Sequence, residues 1–124
     1  MAVCGINHVN IRSTDIAASA GFYSDVLGFT YRTHEVFGGF TSHWLHDEAD
    51  QPIIHLRAMA PDAASTGPID HVALNCRGKA GVIARLEARA IPFQVIENMG
   101  TSGVTLVLFN DPHGIALELN FAQE

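Results

Sequence analysis

Apolar residues recur along this chain in two rhythms, and the switches between them mark out its elements. Over Ile6-Asn7-His8-Val9-Asn10-Ile11 apolar and polar side chains alternate, the period of a half-buried strand. From Ile16 the spacing lengthens, so that Ile16, Ala20, Tyr23 and Leu27 share one face of a helix. Ser13-Thr14-Asp15 offers its N-cap and Gly28 its stop. Strands follow over Tyr31–Val36, Thr41–His46 and Pro52–Ala58. The succession then runs again. Ile69–Cys76 reads as a strand and Ala80–Ala90 as a helix with Val82, Leu86 and Ala90 on one face. Strands follow over Phe93–Glu97, Val104–Phe109 and Ile115–Phe121, the last preceded by the turn residues Asn110-Asp111-Pro112-His113-Gly114. The predicted order is βαβββ, twice, in an α+β fold.

The duplication is also written in the residues. Ile6 to Ile11 reappears as Ile69-Asp70-His71-Val72-Ala73-Leu74, and Ile54-His55-Leu56 as Leu117-Glu118-Leu119, each 63 positions later. Between the copies lies Ala60–Pro68, a Pro/Gly/Ser/Ala stretch with linker composition. We read two modules, 1–59 and 69–124, joined by a linker at 60–68. Each is too small for an independent domain, so they are expected to pack as a single domain over 1–124.

Alternation also sorts the polar residues. His8, Asn10 and Arg12 oppose Val9 and Ile11, while His71, Ala73 and Asn75 oppose Val72 and Leu74. His55 and Arg57 oppose Ile54, Leu56 and Ala58. Glu118 and Asn120 oppose Ile115, Leu117, Leu119 and Phe121. One face suits packing on helices. The other gathers His8, His55, His71, Glu118, Asn10, Asn75, Asn120 and Arg57. A carboxylate such as Glu118, set between leucines, is costly to bury without a partner or a metal. Three imidazoles and a carboxylate suit a divalent transition metal, with Zn, Ni, Co, Fe and Mn not distinguished. His34, His43, His46 and His113 lack support from the repeat and read as surface or loop residues. Asp47 to Asp50 reads as a solvated hairpin tip.

The net charge of −6, with only 7 basic residues scattered along 124, argues against nucleic acid and against an anionic membrane surface. No apolar run is long enough to span a bilayer and no export signal is visible, so a cytoplasmic protein is expected. Cys4 and Cys76 sit in strand-like runs and read as reduced, inert thiols.

Several segments are familiar: Gly5-Ile6-Asn7-His8-Val9, Phe22-Tyr23-Ser24-Asp25-Val26-Leu27-Gly28-Phe29, Ile69 to Leu74, and Asn110-Asp111-Pro112-His113-Gly114 through Glu118-Leu119. They resemble the vicinal oxygen chelate superfamily, which includes glyoxalase I, methylmalonyl-CoA epimerase, fosfomycin-resistance thiol transferases, type I extradiol dioxygenases and bleomycin-binding proteins. The resemblance implies two βαβββ modules forming an open, incompletely closed eight-stranded sheet around a metal, in a homodimer whose site is commonly shared between subunits. It makes His8, His71 and Glu118 metal ligands. His55 would be the fourth, standing where glyoxalase I-like members have Glu and epimerase-like members Gln.

Glu118, helped by His55, is then the candidate catalytic base, and Arg57, Asn10, Asn75 and Asn120 orient substrate oxygens. The implied chemistry is chelation of two neighbouring oxygens of a small organic substrate, with glyoxalase/isomerase-type lyase chemistry first and ring-cleaving dioxygenation second. The second is weakened because Leu108 stands where that family has Tyr, and no His lies between Glu97 and Val107. The competing class is a non-catalytic drug- or metabolite-binding protein of the bleomycin-resistance type.

Overall fold

The structure is a computed structural model and describes residues 1, 4–36, 39–60, 69, 71–99 and 103–122. The chain divides into two compact units, Met1–Asp62 and Ala63–Glu124. Residues 61–68, most of the expected linker, lie outside the described residues.

The first unit runs β1 (Val9–Ser13), α1 (Ile16–Leu27), β2 (Thr30–Val36), β3 (Phe40–His46) and β4 (Pro52–Ala58). The second runs β5 (Val72–Cys76), α2 (Lys79–Ala88), β6 (Gln94–Met99), β7 (Val104–Asn110) and β8 (Ala116–Phe121). Each unit forms a four-stranded mixed sheet, ordered β1-β4-β3-β2 and β5-β8-β7-β6, with its first and last strands parallel. The fold is α+β: each unit combines one helix with one four-stranded mixed sheet. In register the units are copies: Asn10 faces His55 across β1 and β4, and Ala73 faces Glu118 across β5 and β8. The 63-residue offset seen in sequence therefore survives in the pairing.

The first strands begin later than alternation suggests. β1 starts at Val9 and β5 at Val72, so His8 and His71 stand just before their strands rather than within them. Helix α1 starts where Asp15 accepts the Ala18 N–H at 3.0 Å, and it stops at Gly28, whose φ of 76° is left-handed. Its Ala20, Phe22, Tyr23 and Val26 are buried, as are Ile11, Leu45, Ile54 and Leu56 of the sheet. The buried Ser13 and Ser19 hydroxyls meet at 2.8 Å, so neither is left unsatisfied in this core. In the second unit Val82, Leu86, Val107, Phe109, Leu117, Leu119 and Phe121 are buried.

The turn before β8 is built by one side chain. Asp111, 5% exposed, accepts the N–H groups of His113 at 2.8 Å and Ile115 at 2.9 Å through Oδ1. Gly114 completes the turn at φ 84°, where a side chain would be strained.

Among the histidines without repeat support, His34 is exposed, but His46 is only 6% exposed and corrects the surface reading. A register shift after Leu45 turns the end of β3, and the hairpin that follows covers the imidazole. Its Nδ1 lies 3.1 Å from the Asp50 carbonyl and 3.0 Å from the Asp50 carboxylate. Asp50 also accepts from Arg32 at 2.9 Å, and that guanidinium bond holds its carboxyl below the usual range. The hairpin tip is solvated as expected, with Glu48, Ala49 and Asp50 exposed, and Asp50 also ties it to its sheet. Among the described residues, no helix is long and apolar enough to cross a membrane.

Candidate metal and substrate site

The sheet registers decide which side chains meet. In the first unit Asn10, His55, Trp44 and Arg32 stand in one row across β1, β4, β3 and β2. In the second, Ala73, Glu118, Leu108 and Gln94 form the corresponding row across β5, β8, β7 and β6. Asn75 and Asn120 face each other one step along, as do Arg12 and Arg57 in the first unit.

His55 is half-buried and stacks on Trp44, with ring centroids 4.3 Å apart and planes 8° from parallel. His8 approaches both rings edge-on, at 5.1 Å from Trp44 and 6.3 Å from His55. Asn10 Nδ2 donates to His55 Nδ1 at 3.2 Å, which leaves the imidazole proton on Nε2. A half-turn of the Asn10 carboxamide would present Oδ1 to an Nδ1–H instead and free Nε2 as a ligand. Burial, reinforced by His8 and Arg57, holds the His55 imidazole below its ordinary pKa, so the neutral ring that a metal needs is favoured. His8 bonds Asn7 Oδ1 through Nδ1 at 2.7 Å; with Nδ1 as the donor, Nε2 is the available lone pair.

In the second unit His71 Nε2 lies 3.9 Å from Glu118 Oε1, and Asn120 Nδ2 donates to Glu118 Oε2 at 2.9 Å. One carboxylate oxygen is therefore engaged, while the other is turned toward the imidazole. Glu118 is half-buried, so the isolated carboxylate feared from sequence has found an amide partner. Both residues line a pocket of about 540 Å3 with Phe93, Gln94, Leu108 and Asn110. That volume lies within the range of small-molecule sites.

The four candidate ligands thus fall as two pairs, His8 with His55 and His71 with Glu118, one pair per unit. Within either unit, among the described residues, no three His, Cys, Asp or Glu side chains group to hold a metal. Asn10, Asn75 and Arg57 are exposed, and Asn120 is half-buried. Asn10 and Asn120 bond candidate ligands, roles the sequence reading did not give them. Trp44 was missed altogether. Its signals were its place as the sole tryptophan and its alternation with Ser42 in β3, but the strand pairing that sets it on His55 is not written locally.

A family model described as the Glyoxalase/Bleomycin resistance protein/Dioxygenase superfamily matches residues 5–119. The chain belongs to that superfamily. Within the superfamily fold, it is 31% identical over 124 aligned residues to the Escherichia coli (strain K12) uncharacterized protein YaeR, covering 92% of this chain and 93% of that one. The glyoxylase/bleomycin resistance protein/dioxygenase domain from Frankia sp. EAN1pec superposes with a TM-score of 0.76 at 16% identity, over 99% of this chain and 95% of that one. TnmS3, an antibiotic-binding protein from Streptomyces sp. CB03234, gives 0.71 at 19% identity over 99% of each chain. Superfamily membership thus covers both enzymes and binding proteins.

Proposed function

We propose that this protein is a metal-dependent enzyme of its superfamily that binds a small organic substrate through two neighbouring oxygens and moves a proton beside a carbonyl, glyoxalase/isomerase-type lyase chemistry. The observation that carries this reading is the Glu118 carboxylate. Asn120 holds Oε2, and Oε1 faces His71 at the edge of a pocket sized for a small molecule. His8, His55, His71 and Glu118 would hold the ion, which would supply Lewis acidity and charge stabilisation to the chelated oxygens. Their chemistry fits a divalent transition metal: His8 has a ring nitrogen free, His55 is held toward neutrality, and Glu118 keeps one oxygen unengaged by the amide.

Glu118 is the group that takes and returns the substrate proton; His55 can assist as an acceptor only where it does not hold the ion. Gln94 and Asn110 at the pocket offer amides to substrate oxygens, and Phe93 and Leu108 line it with apolar surface. The protein is placed in the cytoplasm and works as a homodimer in this reading, the latter by family resemblance.

Elemental analysis of protein purified without chelator tests it, repeated on His71→Ala. Zinc, nickel, cobalt or manganese that is lost in His71→Ala, with hemithioacetal turnover, is expected. Iron with oxygen uptake on catechols would shift the assignment to ring cleavage, and metal content unchanged in His71→Ala would refute the ligand set. A second reading, binding without turnover, takes its support from TnmS3, an antibiotic-binding protein with which the chain shares its fold. Saturable ligand binding by metal-free protein, with no product formed, would select it.

A further inference from the structure

Of the histidines that the proposed function leaves unused, two meet on the first sheet. His34 of β2 and His46 of β3 have ring centroids 5.9 Å apart and planes 31° from parallel. His46 is 6% exposed, and its Nδ1 lies 3.1 Å from the Asp50 carbonyl and 3.0 Å from the Asp50 carboxylate. A carbonyl oxygen only accepts, so Nδ1 carries the proton and Nε2 of the neutral ring is a lone pair. That Nε2 is sealed from solvent, and no hydrogen-bond partner meets it among the described residues. Buried polar atoms are normally satisfied, so this one calls for a ligand. A ring whose Nδ1–H is anchored on a carboxylate or carbonyl while Nε2 stays open is also how a metal-ligating histidine is held: the outer partner fixes the tautomer and raises the basicity of the open nitrogen.

We propose that His46 Nε2 and the His34 imidazole together hold a divalent transition ion, in a site that shares no ligand with His8, His55, His71 and Glu118. Two imidazoles on one ion, bound at about 2.0–2.1 Å, have centroids about 5–6 Å apart. The two rings already stand at that separation. His46 is the fixed ligand and His34 the movable one: His34 is exposed, so its ring swings aside to admit the ion and water completes the coordination. Arg32, two positions before His34 on the same face, would repel a cation, but its Nε donates to Asp50 Oδ1 at 2.9 Å and that carboxylate offsets the charge. Imidazole ligands suit copper, zinc and nickel, with Cu2+ bound most tightly of the three. The inference stands apart from the proposed function, since neither ring belongs to its ligand set.

The full chain, stripped of metal and freed of chelator, is titrated with Cu2+ in a non-coordinating buffer at pH 7.5 by isothermal calorimetry, as wild type and as His71→Ala. One Cu2+ equivalent is expected to persist in His71→Ala. Adding His34→Ala to either background should weaken that equivalent by about 10-fold or more, because loss even of a group that only supports a ligand costs that much. His46→Gln should do the same, and His113→Ala, in the turn before β8, should leave it unchanged. Should the buried His46 variant fail to fold, His34→Ala decides alone, since that side chain is exposed. Titrations of wild type and His34→Ala that coincide overturn the site, as does equal weakening by His113→Ala, which would mean unspecific binding to surface imidazoles. The ligand set of the proposed function is judged by the metal lost in His71→Ala and this site by the equivalent lost in His34→Ala, so the two fail separately.

Discussion

Replacing Asp111 by alanine removes the side chain that shapes the turn into β8 and so delivers Glu118 to its register. Two backbone N–H groups, of His113 and Ile115, lose their shared Oδ1 acceptor. A hydrogen bond to a charged group contributes about 1.5–3 kcal/mol, so two of them set a range of about 3–6 kcal/mol. His113 and Ile115 are half-exposed, and water reaches part of what is left behind; the expected cost is therefore at the low end, about 3 kcal/mol. Against a typical domain stability of about 5–15 kcal/mol that is a large fraction. Asp111→Asn keeps a carbonyl oxygen at the acceptor position and loses only the charge, so it should cost about 1 kcal/mol. Urea unfolding at 25 °C, followed by far-UV circular dichroism with an unchanged m value, measures both. If alanine falls within about 0.5 kcal/mol of wild type, or asparagine costs as much as alanine, the turn is not held by this carboxylate. Trp44 emission in the same titration reports the first unit alone. Transitions coincident with circular dichroism would make 1–124 one cooperative domain, and separated ones would make it two.

Asn120→Ala frees Glu118 Oε2 and should weaken metal binding by about 10-fold, with Asn120→Gln not restoring it because the longer amide overreaches the 2.9 Å contact; competitive chelator titration reads both. The His55 imidazole sits below its ordinary value near 6.5, chiefly through burial, so as pH falls the unfolded chain takes the proton first. Its contribution to stability is therefore full above about pH 6.5 and is lost as pH falls through the folded value; His55→Gln should flatten that part of the stability profile measured by thermal melts. Burial pushes the Cys76 thiol up to about 11, whereas Cys4 is exposed, so native protein at pH 8 should react with one equivalent of a thiol reagent and denatured protein with two. Equal labelling rates for the two thiols would contradict that burial.

The strand and helix sequence, the duplication and the polar face were legible along the chain, because each rests on local spacing. Alternation places Leu117, Leu119 and Phe121 opposite Glu118 and Asn120 whatever else the chain does, and the former three are the buried ones. Capping by Asp15 and the stop at Gly28 are equally local. Pairing is different, because register joins residues dozens of positions apart and depends on turns and bulges that one-dimensional patterns do not encode. Only the folded chain therefore stacked Trp44 on His55, set Asn120 on Glu118 and Asn10 on His55, put Arg12 beside Arg57, and buried His46 at the end of β3. The residue types chose which chemistry this protein has available; the hydrogen-bonded registers between distant strands chose which of those groups touch.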